Sequence, residues 1–166
     1  PHIHTEYTGV KFLNNSKQII IYNEFKEDQI FELSLNYSTS PNKALYFIDW
    51  NLEDDVTSSD FDTHQNRIEK PQVWTQGQGK YTSNWLPSID DMNEKIEFDL
   101  SINFNKGYEV IANGKLINKQ INDSTITWHY DMQQPMPSYL VALVIGKYNK
   151  KVAYSKSGIP LEMYYY

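Results

Sequence analysis

Apolar and polar residues alternate along several stretches of this chain, most strictly between Ile96 and Phe104. A period of two places one set of side chains on each face of an extended strand. The pattern predicts a half-buried strand there and two more at residues 31–38 and 126–130. The residues from Ile19 to Tyr22 predict a buried strand. The run from Tyr139 to Ile145 predicts a central strand, because it is apolar on both faces.

Turn signals agree with a β protein. Asn113 and Gly114 lie between two short apolar stretches, which predicts a two-residue hairpin of type I′. Residues 51–70 are polar and rich in Asp, Ser and Thr, so we expect a long surface loop there. No stretch has the apolar stripe and caps of an amphipathic helix. The chain is therefore predicted to be all-β, one antiparallel domain over residues 1–166.

Composition narrows the class of protein. The 166 residues are 40% hydrophobic and 14% aromatic, which is too apolar for a disordered chain. With a net charge of −6 and Arg67 as its only arginine, the chain lacks the basic clusters of nucleic-acid binders. The absence of cysteine excludes disulfides, cysteine-ligated zinc and cysteine nucleophiles. No apolar run approaches the ~20 residues of a membrane-spanning helix, and nothing indicates a cellular compartment.

Catalytic and metal-binding patterns are missing. The sequence contains no H-E-x-x-H, no G-x-S-x-G and no Walker loop. The four histidines do not form a ligand set: His2 and His4 stand at a terminus, His64 is isolated, and His129 alternates with aromatic residues as a cross-strand histidine would. Three acidic residues follow Pro87 and are interpreted as solvated capping groups: Asp90, Asp91 and Glu94. We therefore predict no catalytic residue and no metal ligand in this chain.

Two separate segments carry a resemblance. The first contains Gln76-Gly77-Gln78, Leu86-Pro87, Asp90 and Lys95, followed by the strand from Ile96. The second runs from Pro135 to Gly146 and reads P-M-P-S-Y-L-V-A-L-V-I-G. In order and spacing they resemble the N-terminal domain of the aminopeptidase N and leukotriene-hydrolase family of zinc metallopeptidases. The resemblance is firm over residues 72–148 and weaker before them.

This resemblance implies a twisted antiparallel β saddle or sandwich that precedes a zinc-containing catalytic domain. That catalytic domain would follow residue 166, and this chain would pack against it. The first strands of the β domain are expected to be missing. The parent enzyme would remove N-terminal residues from peptides, and the 166-residue chain alone would be inactive. The loop with Gln76, Gln78 and Gly79 would reach the catalytic cleft. There Gln78 would bind the substrate's α-amino group and first side chain, and the Gln78–Gly79 bond is expected to be cis or otherwise strained.

Two departures from the family pattern stand out. Ser83 replaces an arginine that pairs with the acid at Asp90, and Met92 replaces the proline that follows this acid. Asp90 must then find backbone or hydroxyl donors. Many members also carry glutamate where this chain has Gln78. A neutral amide gives up the charge-assisted part of a contact with an ammonium group.

Two other functions stay open from the sequence. The parent protein could be a scaffold whose downstream domain has lost its metal site. Alternatively, the chain could be a free-standing β-sandwich that binds carbohydrate or protein through Trp50, Trp74 or Trp85. A domain separated from its catalytic neighbour should expose apolar side chains near residues 76–79 and along the C-terminal tail. A uniformly polar surface would favour the free-standing module.

Overall fold

The computed structural model of the chain describes residues 11–15, 18–50 and 70–166. These residues divide into two compact units, one ending at Pro41 and one running from Asn42 to Tyr166. Their regular structure consists of β-strands and two short 3₁₀ helices, as the all-β prediction required. No helix in these ranges is long and apolar enough to cross a membrane. The predicted loop at 51–70 lies outside the described residues apart from Lys70. The single-domain boundary stays a prediction.

The first unit contains one hairpin. Strand β1 (Lys11–Asn14) pairs antiparallel with β2 (Ile19–Tyr22), and the two form a two-stranded sheet. The strand predicted at Ile19–Tyr22 is therefore present, but the expectation that it is buried is wrong. Its side chains are half-buried or exposed, and Tyr22 is 52% exposed. A two-stranded sheet has no second layer of its own to cover an apolar face.

The strand predicted at residues 31–38 is not formed. The backbone from Asn23 to Asn42 takes part in no strand pairing within the described residues. Phe31, Leu33 and Tyr37 are all more than a third exposed. Alternation favours an extended backbone, but a strand also needs a hydrogen-bonded neighbour. At this place the alternating pattern therefore predicted a strand that the structure does not form.

The second unit is a sandwich of two antiparallel sheets and an additional hairpin. One sheet has four strands in the order β3-β4-β9-β6: β3 (Leu45–Ile48), β4 (Gln72–Thr75), β9 (Leu143–Gly146) and β6 (Glu109–Ala112). The other has three in the order β5-β8-β7: β5 (Lys95–Asn105), β8 (Thr125–Pro137) and β7 (Lys115–Ile121). Strands β10 (Asn149–Tyr154) and β11 (Pro160–Tyr165) pair with each other.

The main core lies between the two sheets. Trp128 of β8 is completely buried against side chains of the four-stranded sheet: Val73, Val110, Leu143 and Ile145. The sheets are also joined by the Tyr130 hydroxyl, which donates a 2.6 Å hydrogen bond to the Val110 carbonyl. Burial raises the pKa of Tyr130 to about 12. The predicted strands at 96–104 and 126–130 are confirmed. Their side chains in this core are Ile102, Phe104, Ile126, Trp128 and Tyr130, whereas Ile96 is 47% exposed.

Strand β9 lies between β4 and β6 and is the central strand that the apolar run predicted. The strand begins only at Leu143, because Ser138–Leu140 form a 3₁₀ helix. A second, smaller core cluster consists of Phe98, Met136 and Val141. Trp85 and Leu86 pack against this cluster. This cluster joins one end of the three-stranded sheet to the segment that follows the glutamine-containing loop.

The hairpin predicted at Asn113-Gly114 is wrong. Strand β6 pairs with β9 and β7 pairs with β8, so the two residues connect different sheets. Only Gly114 of the pair has a positive φ, at 86°, whereas a type I′ turn needs both. The Asn113 Oδ1 atom instead accepts a hydrogen bond from the Ala142 backbone N–H. The chain does change direction at these two residues, but the strands on either side of them pair with other strands and not with each other.

Candidate functional site

The predicted substrate-binding residues lie in the loop that leaves β4. We call residues 76–81 the Gln loop; it ends at the 3₁₀ helix Thr82–Asn84. The Gln76 backbone N–H donates to the Ala44 carbonyl at 2.8 Å, and the Tyr81 N–H donates to the Gly77 carbonyl at 3.2 Å. The loop is therefore attached to the domain at Gln76 and closes a turn on itself between Gly77 and Tyr81, with Gln78 and Gly79 inside that turn.

The structure brings the two glutamines together at the tip. The Gln76 Nε2 atom donates to the Gln78 Oε1 atom at 3.3 Å, and both residues are exposed. An amide oxygen has two lone pairs, so Gln78 Oε1 can accept a second hydrogen bond. Gln78 is not packed into the domain core. The sequence predicted this side chain to point off the sheet, and its exposure agrees.

The Gln78–Gly79 bond is not cis, because the described residues contain no cis peptide bond. Of the predicted cis or otherwise strained link, the cis alternative is therefore wrong. The unusual backbone consists of two consecutive positive φ angles, 91° at Gly79 and 67° at Lys80. Glycine adopts this region freely, but for Lys80 it costs of order 1 kcal/mol. The chain thus turns sharply directly after Gln78.

Basic and aromatic side chains surround the tip. The Tyr81 ring lies against Gly79, and the Lys43 Nζ atom lies 4.9 Å from the centre of that ring. The Asn93 backbone N–H holds the pKa of Asp91 below its ordinary value, and Lys80 contributes to this shift.

Asp90 accepts hydrogen bonds from backbone and hydroxyl groups, as predicted from the replacement of the family arginine by Ser83. The Ser83 backbone N–H donates to both carboxylate oxygens, at 3.1 and 3.3 Å. The Ser88 and Ser138 hydroxyls donate to Asp90 Oδ1 at 3.3 and 3.2 Å. The prediction that backbone and hydroxyl donors replace the family arginine is confirmed. The sequence did not identify Ser138 as one of the donors, because a contact across 48 residues leaves no local signal.

The described residues do not fit a zinc site. Within them, no group of three or more His, Asp or Glu side chains is placed to hold a metal. His129 Nδ1 lies 2.8 Å from the Ser101 hydroxyl, across β5 and β8. His2, His4 and His64 lie outside the described residues.

The three tryptophans considered for carbohydrate binding are half-buried. Trp50 donates its indole N–H to the Gln72 carbonyl at 2.8 Å and stacks on Tyr108. Trp74 packs on Tyr46, with ring centres 4.7 Å apart. Trp85 belongs to the smaller core cluster. Their rings are used for internal packing, which removes the main argument for the carbohydrate alternative.

Comparisons with known proteins agree with the resemblance. The model of the peptidase M1 N-terminal domain matches residues 2–140. A probable aminopeptidase 1 from Sulfurisphaera tokodaii is 24% identical over 142 residues, which cover 85% of this chain and 16% of that protein. Aminopeptidase N from Lactococcus lactis is 32% identical over 97 residues, covering 57% of this chain and 11% of the relative. The chain thus spans less than a fifth of the length of either protein.

A solved structure shows the same fold. The M1 zinc metallopeptidase from Deinococcus radiodurans matches with a TM-score of 0.67 and 12% identity, over 92% of this chain and 33% of that one. This likeness supports the fold alone, since the identity is low. The family model covers both the Gln loop and the strands that carry it. The chain therefore belongs to the family of peptidase M1 N-terminal domains.

Proposed function

We propose that this chain is the non-catalytic β domain of a zinc aminopeptidase that removes N-terminal residues from peptides. Its Gln loop contributes Gln78 to the site for the substrate's N-terminus and first side chain, with Gln76 and Gly79 beside it. The zinc would be held by a downstream catalytic domain and would supply the hydrolytic chemistry there. The observation that carries the proposal is the exposed Gln76–Gln78 pair on a loop that is bonded to Ala44 at its start and is followed by Thr82, which bonds Ser138.

The chemistry of the contact follows from the two groups. A substrate ammonium group only donates hydrogen bonds, and Gln78 Oε1 has a lone pair left after Gln76 has bound it. A rigid acceptor fixes the position of the amine and so helps to align the peptide bond for attack. Because Gln78 is neutral, most of the electrostatic recognition of the amine falls to carboxylates of the catalytic domain.

Substitution of Gln78 in the full-length enzyme tests the proposal. Gln78→Ala should lower kcat/KM for aminoacyl reporter substrates roughly tenfold, which is the value of one hydrogen bond to a charged group. Both KM and kcat should change, while the zinc content stays the same. Gln120→Ala, which removes an exposed glutamine from β7, is the matched control. Unchanged peptide kinetics in Gln78→Ala would contradict the proposed role.

The scaffold alternative shares this fold and differs only in the downstream domain. An H-E-x-x-H motif and a distant glutamate in the sequence after Tyr166 would decide for the peptidase. Their absence would decide for a scaffold. No feature of the Gln loop favours the scaffold, since partner binding gives no reason for a pair of exposed amides at its tip.

The β10–β11 hairpin supports a neighbouring domain as partner. Leu161, Met163 and Tyr165 alternate along β11 and share one face, and each is about half exposed or more. On the opposite face, Lys150 forms a salt bridge with Glu162 at 2.7 Å, and the Tyr164 hydroxyl donates a hydrogen bond to the same carboxylate. Exposed apolar residues also occur at Tyr81 in the Gln loop and at Leu140 in the 3₁₀ helix Ser138–Leu140. These exposed side chains support the apolar surface that is expected at both places.

A charged residue on this apolar face should lower stability only in the full-length protein. Met163 is 61% exposed, so Met163→Lys should change the free energy of unfolding of the 166-residue chain by less than about 0.5 kcal/mol. In the full-length enzyme the lysine would be buried at a domain interface. The apparent Tm should then fall by several degrees, as ~2 kcal/mol of lost burial implies. Ile121→Lys, at a 69% exposed position, is the control. Equal shifts for both variants would argue against docking on this face.

A further inference from the structure

The backbone directly before Gln78 is packed tightly against the rest of the domain. Gly77 is buried, and a Cβ atom placed there would lie 2.6 Å from the Thr82 Oγ1 atom and 2.7 Å from the Tyr139 carbonyl oxygen. Real Cβ atoms do not approach oxygen so closely. The backbone before Gln78 therefore lies directly against the 3₁₀ helix Ser138–Leu140 and against the Thr82 side chain.

Thr82 holds the other side of this contact. Its side chain is 1% exposed, and its hydroxyl donates a 3.1 Å hydrogen bond to the Ser138 carbonyl. Ser138 is itself 2% exposed, and its hydroxyl lies 3.0 Å from the Ile89 carbonyl oxygen and 3.2 Å from Asp90 Oδ1, so one proton is shared between two acceptors. Buried polar groups are costly unless they are bonded, so these contacts hold Thr82 and Ser138 in place. They join the Gln loop to the end of β8.

We infer that Gly77 and Thr82 are positioning residues for Gln78. This inference rests on the proposed function, since it concerns the same site. The buried Thr82–Ser138 bond and the close approach at Gly77 determine where the loop leaves the domain. Only Gln78 and Gly79 separate the Gly77 contact from Lys80 and Tyr81. A displacement at the base therefore moves the Gln78 amide directly, and misplacement by about 1 Å can cost a large factor in rate.

Five variants of the full-length enzyme test this, one of them Gln78→Ala alone. Thr82→Val has the same shape as threonine but removes the hydroxyl, and Thr82→Ser keeps it. Each is combined with wild-type Gln78 and with Gln78→Ala, and kcat/KM, KM and Tm are measured. We expect Thr82→Val to lower kcat/KM about three- to tenfold, no more than Gln78→Ala does. Thr82→Ser should keep at least half of the wild-type value. In the Gln78→Ala background, Thr82→Val should have no further effect on kcat/KM.

The outcomes separate the inference from the proposed function. Equal losses from Thr82→Val in both backgrounds would show a general structural role and overturn the inference. So would a normal kcat/KM in Thr82→Val when Gln78→Ala is impaired, although the role of Gln78 would then stand. No loss in Gln78→Ala would overturn both. Should Thr82→Val not fold, Thr82→Ala removes the hydroxyl without placing a methyl group against the Ser138 carbonyl and allows the same comparison.

Discussion

Trp128→Ala is expected to lower the free energy of unfolding of the second unit by about 3–5 kcal/mol, the usual cost of emptying a buried aromatic site. Trp128 is completely buried and lies where the two sheets meet. Its removal would leave a cavity bordered by strands of both sheets, and paired strands cannot move together without breaking their ladders. Urea denaturation followed by circular dichroism measures the change.

Trp128→Phe is the matched control, because the indole nitrogen contributes little. No acceptor lies within hydrogen-bonding distance of Trp128 Nε1 in the described part of the chain, although the atom is buried. Phenylalanine removes this unpaired donor and leaves no carbonyl without its bond. We expect a cost of about 1–2 kcal/mol for the smaller ring. Equal losses for Ala and Phe would mean that the volume at this position is not what stabilises the sandwich.

The sequence predicted best where local pattern and tertiary environment agree. In β5 and β8, apolar residues alternate because one face of the three-stranded sheet covers the core. In β9, Leu143 and Ile145 face the core, whereas Val144 on the other face is only half-buried and Ala142 just before the strand is exposed. The apolar run therefore predicted the central position of the strand correctly, but the expectation that both faces are covered is wrong.

The errors about strands and their pairing share one physical cause. Residues 31–38 and β2 have strand-like sequences, but whether a strand pairs and is covered depends on segments that are distant in the chain. The same holds at Asn113-Gly114, where local turn chemistry predicted a hairpin. Strands β6 and β7 instead pair with β9 and β8, which follow later in the sequence. Pairing partners are a property of the whole fold and leave no local signal.

The candidate site was predictable only through the family resemblance. Gln76, Gln78 and Gly79 form an ordinary polar turn by composition, and nothing in their pattern indicates a ligand. The hydroxyl contacts of Thr82 and Ser138 could not be predicted, because they join segments 56 residues apart. Asp90 is the exception. Its missing arginine was visible in the sequence, and the Ser83 backbone N–H with the Ser88 and Ser138 hydroxyls bonds the carboxylate instead. Neutral donors thus stand where the family resemblance implies an ion pair.

Gly114→Ala should be the most damaging of the small substitutions in this chain. Gly114 connects the two sheets at φ 86°, and a Cβ atom there would lie 2.5 Å from the Asp131 carbonyl carbon and closer still to its oxygen. The left-handed backbone costs an alanine about 1–2 kcal/mol and the overlap about 1–3 kcal/mol more, so we expect a loss of roughly 2–5 kcal/mol. Gly107→Ala separates the two terms, since Gly107 has φ 89° and nothing within 4 Å of its Cβ position. Urea denaturation of both variants should show a loss for Gly114→Ala that exceeds the Gly107→Ala loss by at least about 1 kcal/mol. Equal losses would mean that the connection can move away from β8, and that the close approach at Asp131 does not hold the sheets in place.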